Sequence, residues 1–259
     1  MPDRGATPGV TASSPRRLRT LAGRLSLGLA SGLCVVALPL ALVSSNVRAV
    51  ALDQRFYMAE FTRYDIDAAT GFTSEQLRGI AQAFITYFDA PPGRMDVQVA
   101  RGPSLQPLFN ERELVHMEDV QALMHLLSRV RIVALAYIGA FVLAGLVWRR
   151  SAFVPVLAWT VAAGAGLTVA LFAALGALAA TDFSELFIQF HLVSFSNDLW
   201  QLDPRRDYLI RLFPQGFFQD AALRVAALTI AQAVLLGAAS LLALWLGRRQ
   251  ARLRTARTV

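Results

Sequence analysis

The sequence predicts an all-α polytopic membrane protein: four transmembrane helices, both termini in the cytoplasm, and an extracytoplasmic cap of short helices with one small hairpin. Three observations predict it. Apolar residues fill 55% of the 259 positions and charged ones only 17%, and the mean hydropathy is +0.46, a balance foreign to water-soluble domains. Four charge-free stretches reach or approach the ~20 residues that ~30 Å of hydrocarbon requires at ~1.5 Å per residue. The arginines are shared unevenly among the segments between those stretches, and that unevenness sets orientation.

In chain order, a basic tail (1–24) leads into a first span, 25–47, bracketed by Arg24 and Arg48. An extracytoplasmic segment, 48–131, follows. The second span, 132–148, is short, so its flanking Arg131 and Arg149 snorkel or its helix begins earlier. A turn at 149–150 leads to the third span, 151–181, then a second extracytoplasmic segment, 182–224, the fourth span, 225–247, and a basic tail, 248–259. Tails and turn together hold twelve arginines against one acid, Asp3, whereas the two long segments hold thirteen arginines against seventeen acids. The excess positive charge marks the first set as cytoplasmic. Trp148 and Trp245 then lie at the inner interface and Trp200 at the outer one.

The basic leader and the apolar run after it also resemble a signal peptide, with Ala49-Val50-Ala51 as a cleavage site. The run exceeds the ~7–15 residues of such signals, so a retained signal-anchor is the expectation. Every one of the 25 basic residues is arginine, which excludes lysine Schiff-base chemistry and a P-loop. The single cysteine, Cys34, excludes an internal disulfide and a cysteine-clustered metal site, and Leu33 before it does not suit a lipobox. A net charge of +7 is accounted for by topology and anionic lipid, so no nucleic-acid partner is expected. Gly28 and Gly32 form a GxxxG, and Ala162, Gly166, Ala170 and Ala174 a small-residue stripe, both read as helix-packing surfaces.

Because the cytoplasmic side has only tails and a turn, chemistry is sought in the outer segments, where His116, His125 and His191 all lie. Thr73 with Gln76 makes a capping box opening a helix with Leu77, Ile80, Phe84 and Phe88 on one face, ended by Pro91-Pro92-Gly93. Met95 to Ala100 alternates as a strand, turned by Arg101-Gly102-Pro103 toward a partner near 106–110. From Glu111 a helix runs into the second span. On it Glu113, His116 and Asp119 share a face about 120° wide, so that a carboxylate can orient the imidazole. His125 projects about 180° from His116 and is a bystander. The second outer segment is rich in aromatic residues and broken by Pro204 and Pro214. It is expected to lie on the outer leaflet as an interfacial helix followed by an irregular lip, with His191 in the helix.

Glu113-x-x-His116-Met117-x-Asp119-Val120, then Phe190-His191, Phe195, Asn197, Trp200, Leu202-Asp203-Pro204, Asp207, Leu209-Ile210 and Pro214-x-x-Phe217-Phe218 resemble the signature of a family of bacterial four-span membrane proteins. That family includes the lipoprotein intramolecular transacylase. The resemblance runs from the first span to the fourth; the arginine-rich leader and His125 stand outside it. It implies a plasma-membrane enzyme without cofactor or metal, whose active site faces the extracytoplasmic side. The implied partner is a lipoprotein with a diacylglyceryl-cysteine N-terminus, whose sn-2 acyl chain moves to the α-amino group. His116 and His191 match the family's catalytic pair. Glu113, Asp119, Asn197, Trp200 and Asp207 are expected to orient them or to contact substrate.

The chemistry of the residues is compatible. Imidazole can take a proton from an amine and return one to a glycerol oxygen. Nucleophile and electrophile share one molecule, so no acyl-enzyme is needed. Glu113 or Asp119 can orient His116, and Asn197 or an outer arginine can stabilise an oxyanion. Other readings stay open from sequence: a bis-histidine haem subunit, a di-metal carboxylate site built on Glu113-x-x-His116, and a non-catalytic lipoprotein-binding protein.

Overall fold

A computed structural model describes residues 15–101 and 104–256. The leader through residue 14, the Gly102-Pro103 turn and Arg257 lie outside the described residues. Four long helices pack side by side: α1 (Pro15–Ala51), α5 (Glu111–Arg149), α6 (Val154–Thr181) and α9 (Gln215–Ala256). Between α1 and α5 come α2 (Gln54–Arg63), α3 (Ile66–Thr70), α4 (Ser74–Asp89) and the strands β1 (Gln98–Arg101) and β2 (Ser104–Pro107). Between α6 and α9 come α7 (Phe183–Ser194) and α8 (Tyr208–Leu212).

Among the described residues, three helical stretches are long and apolar enough to cross a membrane: Gly23–Ala51, Glu111–Ala179 and Gln215–Ala256. The middle one, 69 residues, is interrupted by a 3-10 turn at Arg150–Phe153 that separates α5 from α6. Arg150 adopts φ +50° there, and the Phe153 ring fills the notch left by the missing side chain of Gly145 while packing on Phe141.

Helix directions follow from the contacts. Tyr137 Oη donates to the Ala30 carbonyl at 2.9 Å and Ala134 packs with Ala37 and Ala41, so α5 runs against α1. Phe153 packs with Leu27, Ala30 and Cys34, whereas Gly164 meets Val35 and Leu38, so α6 runs with α1. Asn46 Nδ2 donates to Thr229 Oγ1 and Gln232 Oε1, both at 2.9 Å, while Gly237 approaches Ala165, so α9 runs against both. The two buried members, Asn46 and Thr229, are matched, as an apolar surround demands.

The packing residues differ from the sequence expectation. Gly28 and Gly32 are exposed with no neighbour near them. On α6 it is Gly164, Ala165 and Thr168 that are buried, whereas Gly166, Ala170 and Ala174 point outward. The close approach is made at Gly164 instead: a Cβ there would lie 3.2 Å from the Val35 carbonyl, which the absent N–H of Pro39 leaves unbonded within α1, and 2.9 Å from Leu38 Cδ2.

The cap has its own core. Thr73 and Gln76 form the expected capping box of α4, whose Leu77, Ile80 and Phe84 are buried against α2, the hairpin and α8. The hairpin pairs Gln98 with Pro107 and Arg101 with Ser104, so the second strand lies at 104–107 rather than 106–110. The register is the reason, since Arg101 already pairs with Ser104. The second outer segment is less interfacial than expected. Phe213 and Phe217 turn inward, Phe213 stacking on Phe84 at 4.7 Å and on Phe217 at 5.0 Å, and α9 starts ten residues before the apolar stretch at 225. Only part of that segment, Phe190, Leu192 and Val193 of α7 among it, faces outward. Removing the Phe213 ring should cost the cap about 3–5 kcal/mol. In Phe213→Ala, hydrogen exchange should speed up across α2 and α4 while α6 amides keep their protection; uniform protection in both regions would contradict an independent cap core.

Candidate active site

The site begins at the first turn of α5. Asn110 caps it, accepting from Glu113 N through Oδ1 at 3.2 Å, while Glu113 Oε2 accepts from Asn110 N at 2.8 Å. Glu113 is only 1% exposed, and its other oxygen accepts from Leu209 N at 2.6 Å. Burial pushes its carboxyl above the usual range, against the downward pull of the amides of Asn110 and Leu209. Asp207, equally buried, accepts from Asn110 Nδ2 at 2.8 Å and from Asp203 N at 2.7 Å. These two acids therefore fasten α5 to the start of α8. Glu113 makes no hydrogen bond to His116, and the expectation that it orients the imidazole is corrected: its oxygens are taken by backbone amides.

Beyond that joint, Arg112, His116 and Asp119 recur at i, i+4 and i+7, one face of α5. All three meet the segment that carries His191. Arg112 Nη2 donates to the carbonyls of Asp198 and Gln201, the latter at 3.3 Å, on either side of Trp200. Asp119 Oδ2 accepts from Asn197 Nδ2 at 2.8 Å, and Asn197 Oδ1 accepts from Leu199 N at 3.0 Å. His116 lies between them, its ring 6.1 Å from that of His191 with 33° between planes.

Aromatic rings enclose the pair. Phe195 meets His116 at 5.1 Å and His191 at 5.5 Å. Trp200 lies over His191 at 4.8 Å and 32°, and Phe187 at 4.3 Å. Only 6% of His116 and 7% of His191 is exposed. Burial lowers both affinities for a proton. For His116 the drop, to about 4, comes first from burial and then from the neighbouring His191, with Asp119 opposing it and Arg112 adding to it. For His191 burial lowers the value and the Phe187 carbonyl opposes. Both rings are thus neutral at neutral pH.

Their ring nitrogens differ. His191 Nδ1 is 2.7 Å from the Phe187 carbonyl; a carbonyl only accepts, so Nδ1 carries the hydrogen and Nε2 keeps a free lone pair. His116 Nδ1 is buried without a hydrogen-bond partner. His125 faces elsewhere, its Nε2 3.0 Å from the Ala90 carbonyl. Among the described residues no three His, Cys, Asp or Glu side chains are grouped to hold a metal ion. A macrocycle between the two imidazoles would have to displace Phe195. Of the contributing groups, Arg112 was not singled out from sequence, although its i, i+4, i+7 spacing with His116 and Asp119 was the signal. The Phe187 carbonyl had none.

The chain matches the family model described as lipoprotein intramolecular transacylase Lit over residues 33–218. An uncharacterized protein of Aquifex aeolicus (strain VF5) is 26% identical over 206 residues, 78% of this chain and 88% of the relative. Among solved structures, the membrane-integral lipoprotein intramolecular transacylase Lit of Bacillus cereus shares the fold with a TM-score of 0.74 at 20% identity, covering 86% of this chain and 98% of that one. The same protein with one histidine replaced by arginine gives 0.72 at 20% identity, covering 92% and 100%. With the model spanning well over half its length, this chain belongs to the lipoprotein intramolecular transacylase (Lit) family.

Proposed function

We propose that this protein moves the sn-2 acyl chain of a diacylglyceryl-cysteine lipoprotein to the cysteine's α-amino group, with His116 and His191 as catalytic residues. The observation that carries the reading is the pair of buried imidazoles 6.1 Å apart inside an aromatic sleeve, in a chain of this family. The 3-10 turn at Arg150–Phe153 supports dividing the middle apolar stretch into two spans, four in all. The arginine asymmetry supports cytoplasmic termini, and with them a cap and histidine pair on the extracytoplasmic side of the bacterial plasma membrane. The outward apolar side chains of α7, Phe190, Leu192 and Val193, suit a lip through which acyl chains enter from the outer leaflet.

The proton inventory suits the reaction. His191 Nε2 accepts a proton from the substrate nitrogen as it attacks the sn-2 ester carbonyl; the C–N bond forms, the C–O bond breaks, and that proton reaches the glycerol oxygen through His116, which gives up one ring proton as it takes one from His191, so both rings end neutral. The Nδ1–H bond to the Phe187 carbonyl steadies the imidazolium that forms on His191, as a carboxylate does in a triad. Low proton affinity keeps both rings available at neutral pH. Amine and ester arrive in one molecule, so proximity supplies much of the rate. Asp119, Asn197 and Trp200 shape the substrate cleft around the pair, while Glu113 and Asp207 hold the α5–α8 joint. Arg112 is a positioning residue: it holds the loop that lays Trp200 on His191.

His116→Ala and His191→Ala should each lower formation of N-acyl lipopeptide at least ~100-fold, measured by mass spectrometry of a co-expressed lipoprotein's N-terminus, with helix content unchanged and His125→Ala near wild type. An unmodified diacylglyceryl peptide with the wild-type protein would overturn the assignment, and full activity in His191→Ala would overturn the pairing. Imidazole NMR should show His116 titrating near pH 4. Since the folded pKa lies below the unfolded value of about 6.5, folded stability should fall as pH drops from about 6.5 toward 4 and hold steady above. Titration at an ordinary value would contradict a buried His116 that stays neutral at neutral pH. Arg112→Ala should slow turnover about tenfold or more through the freed loop, without the loss of cap protection seen for Phe213→Ala.

A further inference from the structure

We propose that the Asp119 carboxylate is the subsite for the primary ammonium group of the substrate's N-terminal cysteine, an assignment that rests on the transacylase reading and adds a basis for substrate selection. A cleft of about 260 Å³ opens beside the histidine pair, lined by Asp119, Ala122, Leu126, Ser194, Phe195 and Asn197 among others. Asp119 is the one ionisable group in that lining. Its Oδ2 takes a single hydrogen bond from the neutral amide of Asn197, and among the described residues no cation pairs with it. Arg112, on the same helix face, has turned its guanidinium to the carbonyls of Asp198 and Gln201. The cleft therefore presents an uncompensated negative charge with acceptor capacity to spare.

A primary ammonium ion fits that vacancy in charge and in donors. Asp119 follows His116 by one turn, a Cβ separation of roughly 5–6 Å, so an ammonium held there keeps its nitrogen within reach of the imidazoles. One N–H proton passes by way of an imidazole to solvent, the freed lone pair attacks the ester carbonyl, and a second N–H proton is relayed to the glycerol oxygen as the C–O bond breaks. Acylation then turns the ammonium into a neutral amide, which cancels the ion pair. The same subsite thus favours lipoproteins with a free amino terminus and weakens the hold on product.

The test uses a dialkylglyceryl-cysteine peptide with ether links, which has no ester to transfer, in free-amine and N-acetyl forms, as inhibitors of the purified full-length protein. Wild type should bind the free amine about tenfold more tightly. Asp119→Asn keeps an oxygen for the Asn197 amide and should bring the ratio near one with little change for the N-acetyl form, while Asp119→Glu restores part of the preference. Equal ratios in wild type and Asp119→Asn would overturn the subsite, as would equal binding of both peptides by a wild type that still converts the ester substrate. A wild type that leaves the ester substrate unchanged would overturn the transacylase reading and the subsite together.

Discussion

Everything in this molecule turns on keeping two imidazoles, 75 residues apart in the chain, side by side in a place where burial disfavours their charged form. An imidazolium there would lose hydration with little return, because the surrounding groups are mostly rings and the Arg112 charge lies close by. The protein answers by holding both rings neutral and by fixing one tautomer through a backbone carbonyl. That carbonyl belongs to Phe187, one turn before His191 on the same helix, so α7 supplies both the imidazole and the group that aims it. Neutral imidazole is the form that accepts a proton, so the restriction that folding imposes is also the condition for the chemistry.

The scaffold separates two tasks. The long helices meet through small residues and one satisfied polar trio, a mode of association suited to lipid, where apolar surface alone gives helices no reason to join. The cap uses a water-facing protein's means, an aromatic core centred on Phe84, Phe213 and Phe217, and it seats α8 so that Glu113 can reach the Leu209 amide. α5 belongs to both regions. Its upper turns carry Arg112, His116 and Asp119, and its lower turns lie against α1, so the site is tied to the bundle by a single unbroken helix.

The long helices were legible because an apolar run of span length between arginines has few alternatives, and the α4 capping box because Thr73 and Gln76 encode it locally. His116 and His191 were legible only as members of a motif set; neither spacing nor composition says that α7 folds back upon α5. The packing glycines differ from the expectation because GxxxG marks a possible close approach without saying which face makes it, and here the approach is at Gly164. Glu113 was misread for a related reason. A carboxylate one turn from a histidine can turn toward it or toward open helix ends, and here the unsatisfied amides of Asn110 and Leu209 won.

Isotopic labelling distinguishes transfer within one substrate molecule, as proposed for this site, from transfer out of the bilayer. The purified protein would be placed in vesicles of unlabelled phospholipid with a diacylglyceryl-cysteine peptide deuterated in its sn-2 chain, and the product analysed by tandem mass spectrometry. The product should keep its mass and carry the deuterated chain on nitrogen. An added unlabelled chain on nitrogen, drawn from phospholipid, would overturn intramolecular transfer.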